Sequence, residues 1–186
     1  MTIYISTRRA NITDLLQILF HADEFLRMAG PSAAMRQIWE ENEALQYQFG
    51  FDNEEIYEVK ILGWNIAVKP DHISDDCVYE FKVCRDPNNK LIEHEAYIQA
   101  GVGAEAVGVP FFEVWIYYVI REEEDGQVSV KTFLKKRRFE LARERQNIIN
   151  TLKKAIDILE RIRALKYEMK AIVKTQEAER LELGEG

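Results

Sequence analysis

The chain has 186 residues, 47% of them apolar and 31% charged, with a formal net charge of −7. That length supports one well-buried core and is short for two, and the composition is that of a soluble globular protein. No uncharged apolar run of about 18 residues exists, which excludes a helical membrane span, and the acidic balance weighs mildly against a nucleic-acid partner. The opening MTIYISTRRANITD lacks the apolar stretch and cleavage site of a signal peptide, so the expected location is the cytoplasm (a host's, were the chain viral).

From Ile12 to about Met28 apolar residues recur at helical spacing, with Asn11 or Thr13 placed to cap the start and Gly30-Pro31 to end the helix. Ser32 is placed to cap a second helix through Met35, Ile38, Trp39 and Leu45 to about Phe49. The period then changes. EIYEVKIL and NIAVKP are two β-prone runs joined across Gly63, a hairpin signal, and CVYEFKV alternates, with Val78, Glu80 and Lys82 on one face and Tyr79, Phe81 and Val83 on the other. LIEHEAYIQAGVGAEAVG reads as a helix whose small residues permit a close approach to a sheet. FFEVWIYYVI is the most β-prone stretch, and QVSVKTF is a last short strand. From about Lys135 to Arg180 there is neither glycine nor proline, which predicts long helix. Its apolar stripe drifts instead of keeping strict heptads, so it is expected to pack on a globular body or a partner. The predicted order is α, α, β, β, β, α, β, β, α, an α/β fold with a mixed central sheet. One core over residues 1–133, helical over 1–50, precedes the long helix over 134–186.

The cysteines at 77 and 84 fall on opposite faces of one strand, which precludes a disulfide between them, and they are too few to hold an iron–sulfur cluster alone. The three histidines show no zinc spacing. Core packing is the expected role of Trp39, Trp64 and Trp115. Charge is unevenly placed: Lys131–Arg145 holds seven basic residues against two acidic ones, a stripe suited to phosphate groups.

The stretch KPDHISDDCVYEFKV carries the chemistry. Phosphodiester hydrolysis needs a nucleophilic water, neutralisation of charge developing on phosphate, and help for the leaving oxygen, all of which a carboxylate-held divalent cation supplies. Magnesium accepts two carboxylates and a backbone carbonyl as its protein share. Glu80 and Lys82, two apart on a strand, share a face, and a hairpin-like return through HISDDC brings Asp71 beside Glu80. The carbonyl of Phe81 then faces the same cation, and Lys82 is placed to orient the attacking water.

Pro70-Asp71 followed by Glu80-Phe81-Lys82 resembles the motif of the PD-(D/E)XK nuclease superfamily. From Glu58 to Ile120 the chain is similar to RecB-like nucleases, including the CRISPR adaptation exonucleases. The resemblance implies a restriction-endonuclease-like core, a cofactor of Mg2+ or Mn2+, and hydrolysis of DNA, single- or double-stranded, from its ends. It also implies a role for Gln99, on the helix after the lysine strand, in orienting substrate or Lys82. Some relatives place a further metal ligand on the N-terminal helix. His21, Glu40 and Glu41 are candidates here, with Glu40 favoured because Ile38 and Trp39 would bury the adjoining face. Lys135, Lys136, Arg137 and Arg138, near the expected start of the last helix, would hold the DNA backbone. Two departures stand out. A tyrosine common four residues after the glutamine is Gly103, and the cluster-binding cysteines of the adaptation exonucleases are missing, so no iron–sulfur cluster is expected. The alternative to an exonuclease is an inactive nuclease-derived DNA-binding or assembly protein, and a homo-oligomer is compatible with either.

Overall fold

The structure, a computed structural model, describes residues 8–21, 33–124 and 127–182. Its first strand, β1 (Arg9–Asn11), runs into α1 (Ile12–Phe20) through Asn11, whose Oδ1 accepts a hydrogen bond from the Thr13 amide at 2.9 Å. Of the two predicted caps Asn11 is the one used. Ile12, Leu15, Leu16 and Ile18 bury one face of α1. The helix stops at Phe20, short of Met28, and the predicted terminator Gly30-Pro31 and cap Ser32 lie outside the described residues. Helix α2 (Ala33–Gln48) follows.

The predicted hairpin is β2 (Tyr57–Ile61) against β3 (Trp64–Val68), antiparallel and closed by Leu62 and Gly63. Both turn residues have positive φ, 51° and 80°, the conformation a tight two-residue hairpin turn requires. Glycine adopts it freely, while Leu62 does so against its Cβ. Strand β3 also pairs in parallel with β1, giving a three-stranded sheet in the order β1-β3-β2.

The second sheet has the order β4-β5-β6-β7, built from β4 (His72–Ile73), β5 (Cys77–Cys84), β6 (Phe111–Glu124) and β7 (Gln127–Glu140). Strand β5 reaches its parallel neighbour β6 through α3 (Lys90–Val107). That helix lies tightly on its neighbours, as its small residues predicted. A Cβ on Gly101 would stand 2.2 Å from Ile148 Cδ1, and one on Gly103 would stand 3.1 Å from Val78 Cγ1 and 3.3 Å from Pro70 Cγ. The tyrosine expected by resemblance at position 103 would collide with these groups, so the departure is matched by the local packing.

The long helix, α4 (Leu141–Glu182), begins at Leu141 and not near Lys135. Residues 135–140 continue β7 because they pair in register with Phe111–Ile116, and that ladder overrides the helix propensity of Lys-Lys-Arg-Arg. Ile148, Leu152, Ala155, Ile156 and Leu159 bury its first half against α1 and α3. The fold is α/β as predicted, but its sheet is two mixed sheets, and β1 and β4 are strands of three and two residues that no periodicity signals.

Candidate metal-binding active site

The chain leaves β3 through Pro70 and Asp71 and enters β4, so Asp71 sits where the path steps from one sheet to the other. Asn53 fixes this step: its Nδ2 donates to the Pro70 carbonyl at 2.8 Å, and its amide donates to the Asp71 carbonyl at 3.2 Å. The pairing of His72 with Tyr79 then sets Asp71 opposite Glu80. Asp71 Oδ2 accepts from the Phe81 amide at 2.7 Å. The two-residue strand β4 is the return that the sequence implied.

Alternation along β5 does the rest. Glu80 is wholly buried, at 0% exposure, on the face that meets α3, and Lys82 Nζ donates to its Oε1 at 2.5 Å. Its other oxygen, Oε2, is buried without a hydrogen-bond partner. An unmatched buried carboxylate oxygen is costly to keep. Burial, reinforced by the charge of Asp71, pushes the Glu80 carboxyl up to about 8. Burial also raises Asp71 above its ordinary range, against the opposing pull of the Lys82 ammonium and the Phe81 N–H. For Lys82 burial acts to strip the proton, but the carboxylates of Glu80 and Asp71 outweigh it and the ammonium is held above its ordinary value.

Asp71, Glu80, Lys82 and the Phe81 backbone therefore come together as the spacing predicted. The Phe81 ring points the other way, into an aromatic cluster with Phe49 and Phe51. Gln46, from the end of α2, donates to the Phe81 carbonyl at 3.4 Å and also bonds the Asp71 carboxyl. No periodicity or motif marked Gln46. Glu95 on α3 adds its charge to those holding Lys82 protonated, and His21 Nε2 lies 2.6 Å from Glu95 Oε1. Gln99 is half-buried one turn beyond Glu95 on the same flank of the helix. Of the three candidates for a further ligand, His21 thus joins the network through Glu95. Glu41 is exposed and pairs with Arg85, and Glu40 is exposed on α2. The side chains of Ile38 and Trp39, which favoured Glu40, lie outside the described residues.

Among the described residues no group of three or more histidine, cysteine, aspartate or glutamate side chains converges on one point. The donor set for a cation is two carboxylates with the Phe81 carbonyl. It fits a hard divalent ion in chemistry, since all the donors are oxygens. The unmatched Glu80 Oε2 is the atom such an ion would satisfy.

The basic run sits in β7, ahead of α4 and not at its start, and strand alternation splits it between two faces. On one face Lys135 pairs with Glu93 at 2.7 Å and Arg137 lies over the Phe139 ring. On the other, Lys136 stands 3.3 Å over Trp115 and Arg138 pairs with Asp76 and Glu113. Trp64 is buried in the core as expected, while Trp115 is half-buried beneath Lys136. Cys77 and Cys84 are buried free thiols.

No model of a known protein family matches the chain, and no curated protein matches it. Among solved structures it is similar to the protein SSO0001, at TM-score 0.44 and 16% identity, over 82% of this chain and 77% of that one. It is also similar to an alkaline exonuclease, LHK-Exo, from Laribacter hongkongensis, at TM-score 0.45 and 15% identity, over 89% of this chain and 95% of that one.

Proposed function

We propose that the chain is a Mg2+- or Mn2+-dependent deoxyribonuclease of the RecB-like type, hydrolysing DNA phosphodiester bonds from an end. One observation carries the reading: Asp71, on the connector into β4, and Glu80, on β5, meet beside Lys82, with Glu80 Oε2 buried and unmatched. A chain selected only for stability would gain by replacing such a carboxylate with an apolar group. Its retention is accounted for if the oxygen has a partner in the working protein.

Asp71, Glu80 and the Phe81 carbonyl are the groups that would hold the cation. Once bound, the cation supplies charge neutralisation at phosphate and a water of lowered pKa. Glu80, raised to about 8, must lose its proton to act as a ligand, so binding releases a proton at neutral pH. The Phe81 amide keeps Asp71 Oδ2 turned toward β5, which leaves Oδ1 to the site. Lys82 carries the ammonium, which would exchange its bond to Glu80 Oε1 for one to the attacking water or to a phosphate oxygen. Gln99 would orient the substrate from α3, and Lys135 to Arg138 would meet the DNA backbone from β7.

Two assays test this. Calorimetry with magnesium or manganese should show binding to the wild type that Asp71→Ala abolishes. A linear duplex should be degraded while a closed circle survives, and exclusive cutting of circles would overturn the exonuclease form. No cation binding by either protein, even with duplex DNA present, would leave the inactive DNA-binding or assembly reading.

A further inference from the structure

The other flank of α3 carries a second feature, apart from the Asp71–Glu80 carboxylate site, that takes Lys135 and Arg137 from the basic run of β7. Between the first turns of α3, strands β6 and β7 and the start of α4 lies a cavity of about 680 Å³. None of Asp71, Glu80 and Lys82 lines it. Its size falls within the range of small-molecule sites, and its floor is apolar, made by Val114, Ile116 and Phe139.

Its polar rim is unevenly satisfied. Two carboxylates border the cavity, and both are engaged by the protein. Glu93 accepts from Lys135 at 2.7 Å and from the Tyr118 hydroxyl at 2.6 Å, while Glu144 accepts from the Tyr97 hydroxyl at 2.6 Å and from Asn147. Two cations are not so engaged. Among the described residues neither Arg137 nor Lys90 has a carboxylate within ion-pair distance. Arg137 instead lies with its guanidinium 5.0 Å from the centre of the Phe139 ring, a cation–π contact that holds it at the cavity. Lys90 is the first residue of an 18-residue helix, so the positive end of α3 adds to the field at the same rim. An apolar floor beside two cations without an ion-pair partner among the described residues is complementary to an anion joined to an apolar ring, the chemistry of a nucleotide.

We propose that this cavity binds a nucleotide bearing a terminal phosphate, with Arg137 and Lys90 on the phosphate and the Val114, Ile116 and Phe139 surface against the base. Val114 and Ile116 are the register partners of Glu80 and Lys82, so the floor lies one strand away from the carboxylate site, on the same sheet. The same chemistry is offered by a free nucleoside monophosphate and by the phosphorylated end of a strand. The proposal does not depend on hydrolysis at Asp71 and Glu80.

Calorimetry in EDTA with deoxyadenosine monophosphate, on the full chain, tests it. The nucleotide should bind the wild type and Asp71→Ala alike, and deoxyadenosine should not bind. Arg137→Gln should weaken binding about tenfold or more, the scale of a lost charge-assisted hydrogen bond, with a smaller loss for the exposed Lys90→Gln. Circular dichroism melting shows whether either variant remains folded, and Lys90→Gln alone decides the matter if Arg137→Gln does not. Comparing oligonucleotides with and without a 5′-phosphate separates the sources: an Arg137-dependent preference for the phosphorylated strand assigns a strand end, and binding of the mononucleotide alone assigns a free nucleotide. Nucleotide affinity that is absent, that survives both substitutions, or that disappears in Asp71→Ala would overturn the proposal.

Discussion

The two faces of β5 are built from alternate residues of the same eight, yet they obey opposite rules. One presents Phe81, wholly buried among Phe49, Phe51 and Trp115. The other presents Glu80, equally buried, with one oxygen bonded and one not. Aromatic rings on the first face gain both from burial and from their edge-to-face contacts. Carboxylates on the second lose solvation that a single lysine does not restore. The strand is thus anchored by one face and left chemically unsatisfied on the other, the division of labour that the proposed cation site requires.

The anchored face of β5 is the more damaging one to alter. Phe81→Ala should cost about 3–5 kcal/mol in denaturant unfolding, the range for a fully buried aromatic side chain. Asp71→Ala should leave the melting temperature nearly unchanged or higher and lower DNA cleavage by about 100-fold or more. A stability loss equal to that of Phe81→Ala would make Asp71 a structural residue. Gly103→Ala, whose new methyl meets Val78 and Pro70 behind the site, should destabilise by roughly 1–3 kcal/mol.

A smaller effect is set by pH. Between the ordinary value of 4.5 and about 8 folded Glu80 keeps a proton that the unfolded chain has released. Metal-free stability should therefore fall as pH rises through that window. The raised Lys82 contributes stability below its ordinary 10.5 and does not offset this slope. Melting curves at pH 5 and pH 8 should differ by a few degrees in the wild type and less in Glu80→Gln. Smallest should be Gln46→Ala, which removes a long 3.4 Å bond to the Phe81 carbonyl and should lower cleavage by less than about tenfold.

The site was more legible than the sheet that holds it. Asp71, Glu80 and Lys82 follow from strand alternation and one short return, both local rules. The split into two sheets does not, because it depends on β1 pairing with β3 across more than fifty residues and on a two-residue β4. The same limit explains the misplaced start of the last helix. Lys135–Arg138 is helix-compatible by propensity, and only the ladder to β6 makes it strand. His21 was among the named candidates, but its place beside Glu95 rests on a side-chain contact between α1 and α3 that no spacing within either helix encodes. Gln46 reaches β5 from a different helix in the same way.

The position of Asp71 has a mechanical consequence. It lies on the connector between the two sheets, while Glu80 belongs to the second sheet alone. Two short pairings in β4, the Asn53 clamp and the bonds from the Phe81 amide and Gln46 to the Asp71 carboxyl restrain that connector. An ion gripped by both carboxylates would close a loop of ten residues, Asp71 to Glu80, and add a further restraint to it. It would act as a removable rivet across the seam, and hydrogen exchange at the Asp71–Ile73 amides should slow selectively when magnesium is added.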